Sequence, residues 1–256
     1  MASGKNTKII IVHSYKGGTG KTAISVNLAR FLAIKKGKKV LLVEQDTRGP
    51  SFENIFKIEP VNFWNDFYTT YAVSFKEIAI KSHDLDIICS KGEEIEIPRN
   101  EDINSFYARQ LQRLKRQKGW LFSEGIDYLI FDTRPGYSRE LVNNLIITDT
   151  AVLITRLDAD TVTKTIDMYE QIYSQFKQRK ILVVQNQVPA PLKGVVTTEM
   201  DSDVKKTLEV WESFTEGKDI INIPYTDEIA YTLFISKIAP FNSSFMNYIE
   251  NIADRI

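Results

Sequence analysis

Cysteine is nearly absent from this chain. Among 256 residues there is one, Cys89, which excludes an internal disulfide and a cysteine-built metal cluster within one chain. Cys89 closes an apolar run that starts at Leu85, and it is expected to be a buried core thiol. Histidine is scarce too. His13 and His83 stand far apart, without metal-ligand spacing, and are read as structural or surface residues. Net charge is lacking: Lys+Arg and Asp+Glu both number 33. That balance neither requires nor forbids nucleic acid, because a local basic patch would serve. No apolar run reaches the length of a membrane span. Met1 to Lys8 holds no signal-peptide core, so the expected compartment is the cytoplasm. Linkers, low-complexity tracts and internal repeats are missing as well, and the expectation is one domain over residues 1–256.

What is present is an ordinary globular composition, 43% hydrophobic and 26% charged. Short apolar runs recur at Lys8 to His13, Val40 to Val43, Leu85 to Ile88, Tyr128 to Phe131, Ala151 to Ile154, Ile181 to Val184 and Ile220 to Ile223. Such runs suit strands covered on both faces. Helical or mixed segments separate most of them. The first of these is a helix to about Lys36, ended by Gly37. The alternation predicts an α/β fold: a doubly wound, mostly parallel sheet with helices on both faces. Ligands in such sheets bind at the carboxyl ends of strands.

The first apolar run leads into Tyr15-Lys16-Gly17-Gly18-Thr19-Gly20-Lys21-Thr22, and a helical pattern with Ile24, Leu28, Phe31 and Leu32 follows. Strand, glycine-rich loop and helix in that order make a phosphate-binding P-loop. Glycines let backbone N–H groups turn inward around phosphate oxygens. The helix directs its positive end at the same place. Lys21 is expected to reach the β- and γ-phosphates and the Thr22 hydroxyl to bind Mg²⁺, with the backbone from Lys16 through Ala23 lining the nucleotide. Two further strand ends carry carboxylates. Glu44-Gln45-Asp46 follows the second run, where a carboxylate can orient a water or hold Mg²⁺ through one. Asp132-Thr133-Arg134-Pro135-Gly136 follows the Tyr128 to Phe131 run, with Asp132 expected beside Mg²⁺ and a Pro-Gly segment able to reorganise with the γ-phosphate.

Lys16 to Thr22, with its second lysine, resembles the deviant Walker A motif of the ParA/MinD family of ATPases. The resemblance runs in motif order from Ile9 to Ile256. It implies an ATP-dependent dimer in which Lys16 reaches the partner's nucleotide, and an ATPase that is slow without an activating partner protein. It makes Lys16, Lys21 and Asp46 the catalytic set, Asp46 positioning the attacking water. It makes Thr22, Asp132 and Asp46 the Mg²⁺ set. In Gln185-Asn186-Gln187-Val188, Asn186 matches the family's adenine-reading asparagine, and Pro224 in Ile223-Pro224-Tyr225 matches a turn that packs near the base. Three positions depart from the family pattern. Glu44 replaces an aspartate, Arg134 a proline and Gln187 a basic residue. Gly49-Pro50-Ser51 also looks like the iron–sulfur Mrp branch, but that branch needs a Cys-x-x-Cys pair absent here.

What such a switch would control is open at this level. A ParA-like reading, the favoured one, has the ATP dimer bind DNA non-specifically and partition it. The helix Asn104 to Lys118, with Arg109, Arg113, Lys115, Arg116 and Lys118, and the run Lys35-Lys36-Gly37-Lys38-Lys39 are the candidate phosphate contacts. No N-terminal helix-turn-helix segment is evident, so operator binding is not expected. A MinD-like reading needs a basic amphipathic terminal helix. Ser243 to Ile256 is amphipathic with few cations, and it is expected to be core, which disfavours the membrane. A protein-cargo ATPase and a catalytically inactive nucleotide-dependent module are the remaining alternatives. The aromatic stretch Phe52 to Lys81 (Phe56, Phe63, Trp64, Phe67, Tyr68, Tyr71 and Phe75) reads as core between helices rather than a partner surface.

Overall fold

The computed structural model describes residues 6–70, 73–188 and 202–256. In chain order the strands are β1 Lys8–His13, β2 Val40–Glu44, β3 Ile80–Ser82, β4 Leu85–Ile88, β5 Tyr128–Asp132, β6 Thr150–Thr155, β7 Lys180–Val188 and β8 Asp219–Pro224. They form one sheet in the order β3-β4-β2-β5-β1-β6-β7-β8. All pairings are parallel except β3 with β4. The expected α/β architecture is therefore present. The short antiparallel edge strand β3 was not anticipated; its three residues carry too little alternation to read as a strand. The helices are α1 Lys21–Arg30, α2 Phe52–Phe56, α3 Trp64–Thr69, α4 Phe75–Ile78, α5 Ile103–Ser123, α6 Arg139–Ile147, α7 Ala159–Gln171, α8 Ser202–Thr215, α9 Asp227–Ile235 and α10 Ser244–Arg255.

Strand alternation divides the core. In β1, Ile10 and Val12 join a layer with Ile24 and Leu28 of α1 and Phe245, Ile249 and Ile252 of α10. Ile9 and Ile11 face the other way, onto Phe106 and Leu114 of α5 and Leu141 and Leu145 of α6. Both faces are covered, which is why these strands read as continuous apolar runs. Each such Ile or Leu contributes about 1.5–3 kcal/mol by leaving water.

The aromatic stretch is core. Trp64, Phe67, Tyr68 and Phe75 pack together below β5, with Trp64 stacked on Phe67 at 5.3 Å between centroids, and Phe56 is buried on the opposite face. Phe63 is partly buried, and Tyr71 lies outside the described residues. Cys89 is buried, as expected, and burial pushes its thiol up to about 12. The apolar face of α10 lies against α1, so it is core as expected.

Two helices differ from expectation. The first stops being α-helical at Arg30 and continues as a π-helical turn, Phe31–Lys35, before Gly37 at φ 61° ends it. α5 runs on to Ser123, beyond Lys118. Its basic residues also do not share one solvated face. Arg113 is buried, donates to the Thr70 and Val73 carbonyls at 2.9 and 2.7 Å, and lies over the Phe67 ring. Arg113 is thus corrected from a phosphate contact to a core brace. Arg109 is half-buried and ion-paired with Glu101 at 2.7 Å. Lys115, Arg116 and Lys118 are exposed. In the lysine run, Lys36 pairs with Asp254, Lys39 with Glu124, and Lys35 lies over Phe241. That run precedes β2, at the sheet edge opposite the P-loop.

Candidate nucleotide site

Because the sheet is parallel, the loops after β1, β2, β5, β6, β7 and β8 all leave from one edge. The loop after β1 carries the glycines. Gly18 and Gly20 sit at φ 76° and 94°, where a side chain is strained. Gly20 is the residue before α1, and no side chain caps that helix, so its first N–H groups face outward at its positive end. Lys21 is 7% exposed. The Thr19 hydroxyl is buried without a hydrogen-bond partner.

Asp132 closes β5 directly beside this loop and is 1% exposed. Ser25 Oγ lies 2.9 Å from its Oδ1, and the Thr22 hydroxyl is near enough to lower its proton affinity. Burial raises its proton affinity, while Lys21 and the two hydroxyls oppose that. The segment beyond it is tied back to the P-loop strand. Thr133 Oγ1 donates to the Val12 carbonyl at 2.9 Å and Gly136 N to Ser14 O at 2.9 Å. His13 completes the tie. Its Nε2 lies 3.0 Å from the Gly136 carbonyl, which only accepts, so Nε2 carries the proton. Nδ1 then accepts from Tyr173 Oη at 2.8 Å. Burial, with the Lys21 charge nearby, pulls His13 down to about 3, so it is a neutral structural residue, as read from its sequence context.

Asp46 lies just past β2. It is half-exposed, and its Oδ1 accepts from Arg48 N and Gly49 N at 3.2 Å each. It lies close enough to Asp132 and Glu140 to raise the proton affinity of both. Glu44 has a different job. One carboxylate oxygen accepts from Ser51 N and Phe52 N at 2.5 and 3.1 Å, and the other from Ser90 N at 3.1 Å. Burial pushes it up to about 7 against those three donors. Glu44 thus pins the loop after β2 to the end of β4. Glu140, in the first turn of α6, was missed by sequence reading. Burial pushes it up to about 7, with Arg134 opposing and Asp46 adding to the rise.

Asn186 is 2% exposed, and its Nδ2 donates to the Thr19 carbonyl at 2.8 Å. A Cβ on Gly20 would come within 2.3 Å of that nitrogen. Asn186 braces the P-loop here with one of its two amide hydrogens. Gln187, next to it, takes φ 57° at a bulge in the β7–β8 pairing. Pro224 ends β8 beside Val188. Lys16 is exposed, and its Nζ lies 2.9 Å from Asp160 Oδ2 near the start of α7. Asp160 raises its proton affinity. Such an exposed pair is screened by salt and holds the lysine weakly.

The residues present fit a magnesium nucleotide. Two left-handed glycines, an uncapped helix start, an orphaned Thr19 hydroxyl and a nearly buried Lys21 suit a polyphosphate. Thr22 and Asp132 supply the hard oxygen donors that Mg²⁺ takes.

Fold and site together define a P-loop nucleotide-binding protein. The family model for ParA, described as NUBPL iron-transfer P-loop NTPase, matches residues 5–197. The chain belongs to this ParA family of P-loop NTPases, and the resemblance to ParA/MinD proteins holds. It is 30% identical over 204 residues to the flagellum site-determining protein YlxH of Helicobacter pylori, covering 76% of this chain and 63% of that protein. The chain thus spans less than two thirds of that relative's length. Its fold is similar to that of apo McdA from Cyanothece, with a TM-score of 0.73 at 16% identity over 97% of this chain and 98% of that one. It is also similar to a plasmid partition protein from Borrelia burgdorferi B31 bound to AMPPNP, with a TM-score of 0.70 at 20% identity over 98% of each chain. No described helix is long and apolar enough to cross a membrane.

Proposed function

We propose that this chain is a Mg·ATP-dependent dimerising ATPase that acts as a positioning switch. The observation that carries this reading is the placement of Lys16. Its ammonium stands exposed beside the phosphate loop, outside the pocket that Lys21 and Asp132 already serve. Its exposed pairing with Asp160 holds it weakly, so the cation is available to something arriving from outside. A second copy of the chain, closing P-loop to P-loop, brings a nucleotide to it. Lys21 and the loop N–H groups hold the phosphates, Thr22 and Asp132 hold Mg²⁺, and Asp46 orients the attacking water. A cation supplied in trans is worth about 10³–10⁵ in rate. Turnover is slow until the dimer and an activating partner protein assemble. Glu44 bonds backbone rather than phosphate, so its replacement of an aspartate does not argue for an inactive module.

Phosphate release by the wild type, Lys16→Ala and Lys21→Ala, beside nucleotide binding, tests the reading. Lys16→Ala should bind ATP and lose turnover, while Lys21→Ala should lose both. A Lys16→Ala chain that hydrolyses ATP like the wild type would sink it.

Partition of DNA is the cargo reading we favour, supported by the exposed Lys115, Arg116 and Lys118 on α5 and by the likeness to a plasmid partition protein. Asp46→Ala with Mg·ATP should bind random duplex DNA with steep salt dependence, and reversing those three charges should flatten the slope. Salt-independent or absent binding would move the cargo to a protein. The membrane reading draws no support from α10, whose apolar face is covered.

A further inference from the structure

We infer that Gln45 and Asn144 are positioning residues for Asp46, locked to each other as a buried amide pair. The proposal rests on the ATPase reading above. Gln45 is 2% exposed and Asn144 fully buried. Asn144 Nδ2 donates to Gln45 Oε1 at 2.6 Å, and Gln45 Nε2 lies 3.4 Å from Asn144 Oδ1. Two amides joined donor to acceptor at both ends fix each other's rotation, which a single bond does not. Burying them costs desolvation that apolar side chains of the same size would avoid. On this face of β2, Leu41 and Val43 share an apolar layer with Leu141 and Leu145. A polar pair kept there selects one arrangement rather than adding to stability.

That arrangement bears on Asp46 by covalent adjacency. The Gln45 N–H donates to the Asp132 carbonyl at 2.9 Å, and its own carbonyl accepts from Thr47 N at 3.1 Å. With its side chain also held, Gln45 is fixed at three points, and the Asp46 side chain leaves from a defined direction. The partner helix is not passive. α6 starts at Ser138, whose hydroxyl caps Leu141 N at 3.0 Å, two residues beyond Gly136, which is bonded to both Ser14 and His13. The amide pair therefore joins the residue before Asp46 to the helix that continues the Asp132–Gly136 segment. The β2–β5 pairing already sets Asp46 beside Asp132, and the amide pair adds a buried side-chain link to it across 99 residues of sequence.

The test is a substitution cycle read as kcat against Mg·ATP affinity. Gln45→Leu with Asn144→Leu removes both amides and leaves neither unpaired. This variant should keep Mg·ATP binding within about twofold while kcat falls about 10–100-fold, the loss expected for a displaced catalytic group. If that pair of leucines fails to fold, Gln45→Asn alone, one methylene short of its partner, carries the test. Its kcat should fall, and adding Asn144→Gln should restore it. Unchanged kcat in the leucine pair overturns the proposal, as does a Gln45→Asn defect that Asn144→Gln leaves in place. Equal loss of binding and turnover in the leucine pair also overturns it, because that marks a general structural lesion. Wild-type turnover no faster than Lys21→Ala is a separate outcome: it overturns the ATPase reading, and the positioning role with it.

Discussion

Replacing Gly20 by alanine probes how the P-loop is braced. Two costs follow from its geometry. Gly20 sits at φ 94° and ψ 11°, a conformation that costs an L-residue about 1–3 kcal/mol. The added Cβ would also stand 2.3 Å from Asn186 Nδ2, which must retreat by about an ångström to reach normal contact. That retreat stretches or breaks the 2.8 Å bond from Asn186 to the Thr19 carbonyl, a loss of about 1 kcal/mol. The sum is about 2–4 kcal/mol, or about 4–16 °C in Tm for a chain of this size. Calorimetric melting of nucleotide-free protein reads it. Asn186→Ala supplies the internal control. With the amide gone, Gly20→Ala should lose only its backbone strain, so the double variant should be more stable than the two single losses predict. A Gly20→Ala chain melting within about 1 °C of the wild type would refute the reasoning. Strict additivity would leave the strain and remove the brace.

Other consequences are as direct. Arg113→Glu puts a carboxylate against the Thr70 and Val73 carbonyls and should cost about 3–5 kcal/mol in urea unfolding, whereas Lys115→Glu and Arg116→Glu should stay within about 0.5 kcal/mol of the wild type. His13, held down to about 3 when folded, takes a proton in the unfolded chain at its ordinary value of 6.5, so its contribution to stability is lost as pH falls between those values. Glu44 and Glu140, both raised to about 7 from 4.5, act with the opposite sign and gain stability as pH falls through that range. His13→Gln should accordingly close on the wild type in urea midpoint between pH 7.5 and 5, and parallel midpoints would contradict the assignment. Asp132→Asn keeps an acceptor for the Ser25 hydroxyl and removes the carboxylate proposed to hold Mg²⁺. Its ATP affinity should lose its Mg²⁺ dependence, by about tenfold or more in a titration with and without the metal.

The parts of the site that were legible in the sequence are the local ones. A P-loop is eight adjacent residues between a strand and a helix, and a carboxylate closing an apolar run is visible where it stands. Parallel strands then bring such ends together without further information. Contacts between distant segments left little trace. Asn144 and Gln45 each look like ordinary polar residues, and neither shows its partner. Asn186 was legible as a strand-end asparagine but not as a brace on Thr19, 167 residues away. Arg113 illustrates a different limit. Its helix has cations on several faces, and composition alone does not say which face meets the aromatic core. Glu140 carried a weak signal, an acid in the first turn of a helix, which usually means no more than a favourable dipole contact.

The central claim is that Mg·ATP joins two chains across their P-loops. Light scattering on Asp46→Ala, compared in Mg·ATP and Mg·ADP, measures it most directly. The predicted result is a rise from the 29.4 kDa monomer to twice that mass in ATP alone, abolished by adding Lys21→Ala. One mass in both nucleotides, with ATP binding confirmed, would contradict the account.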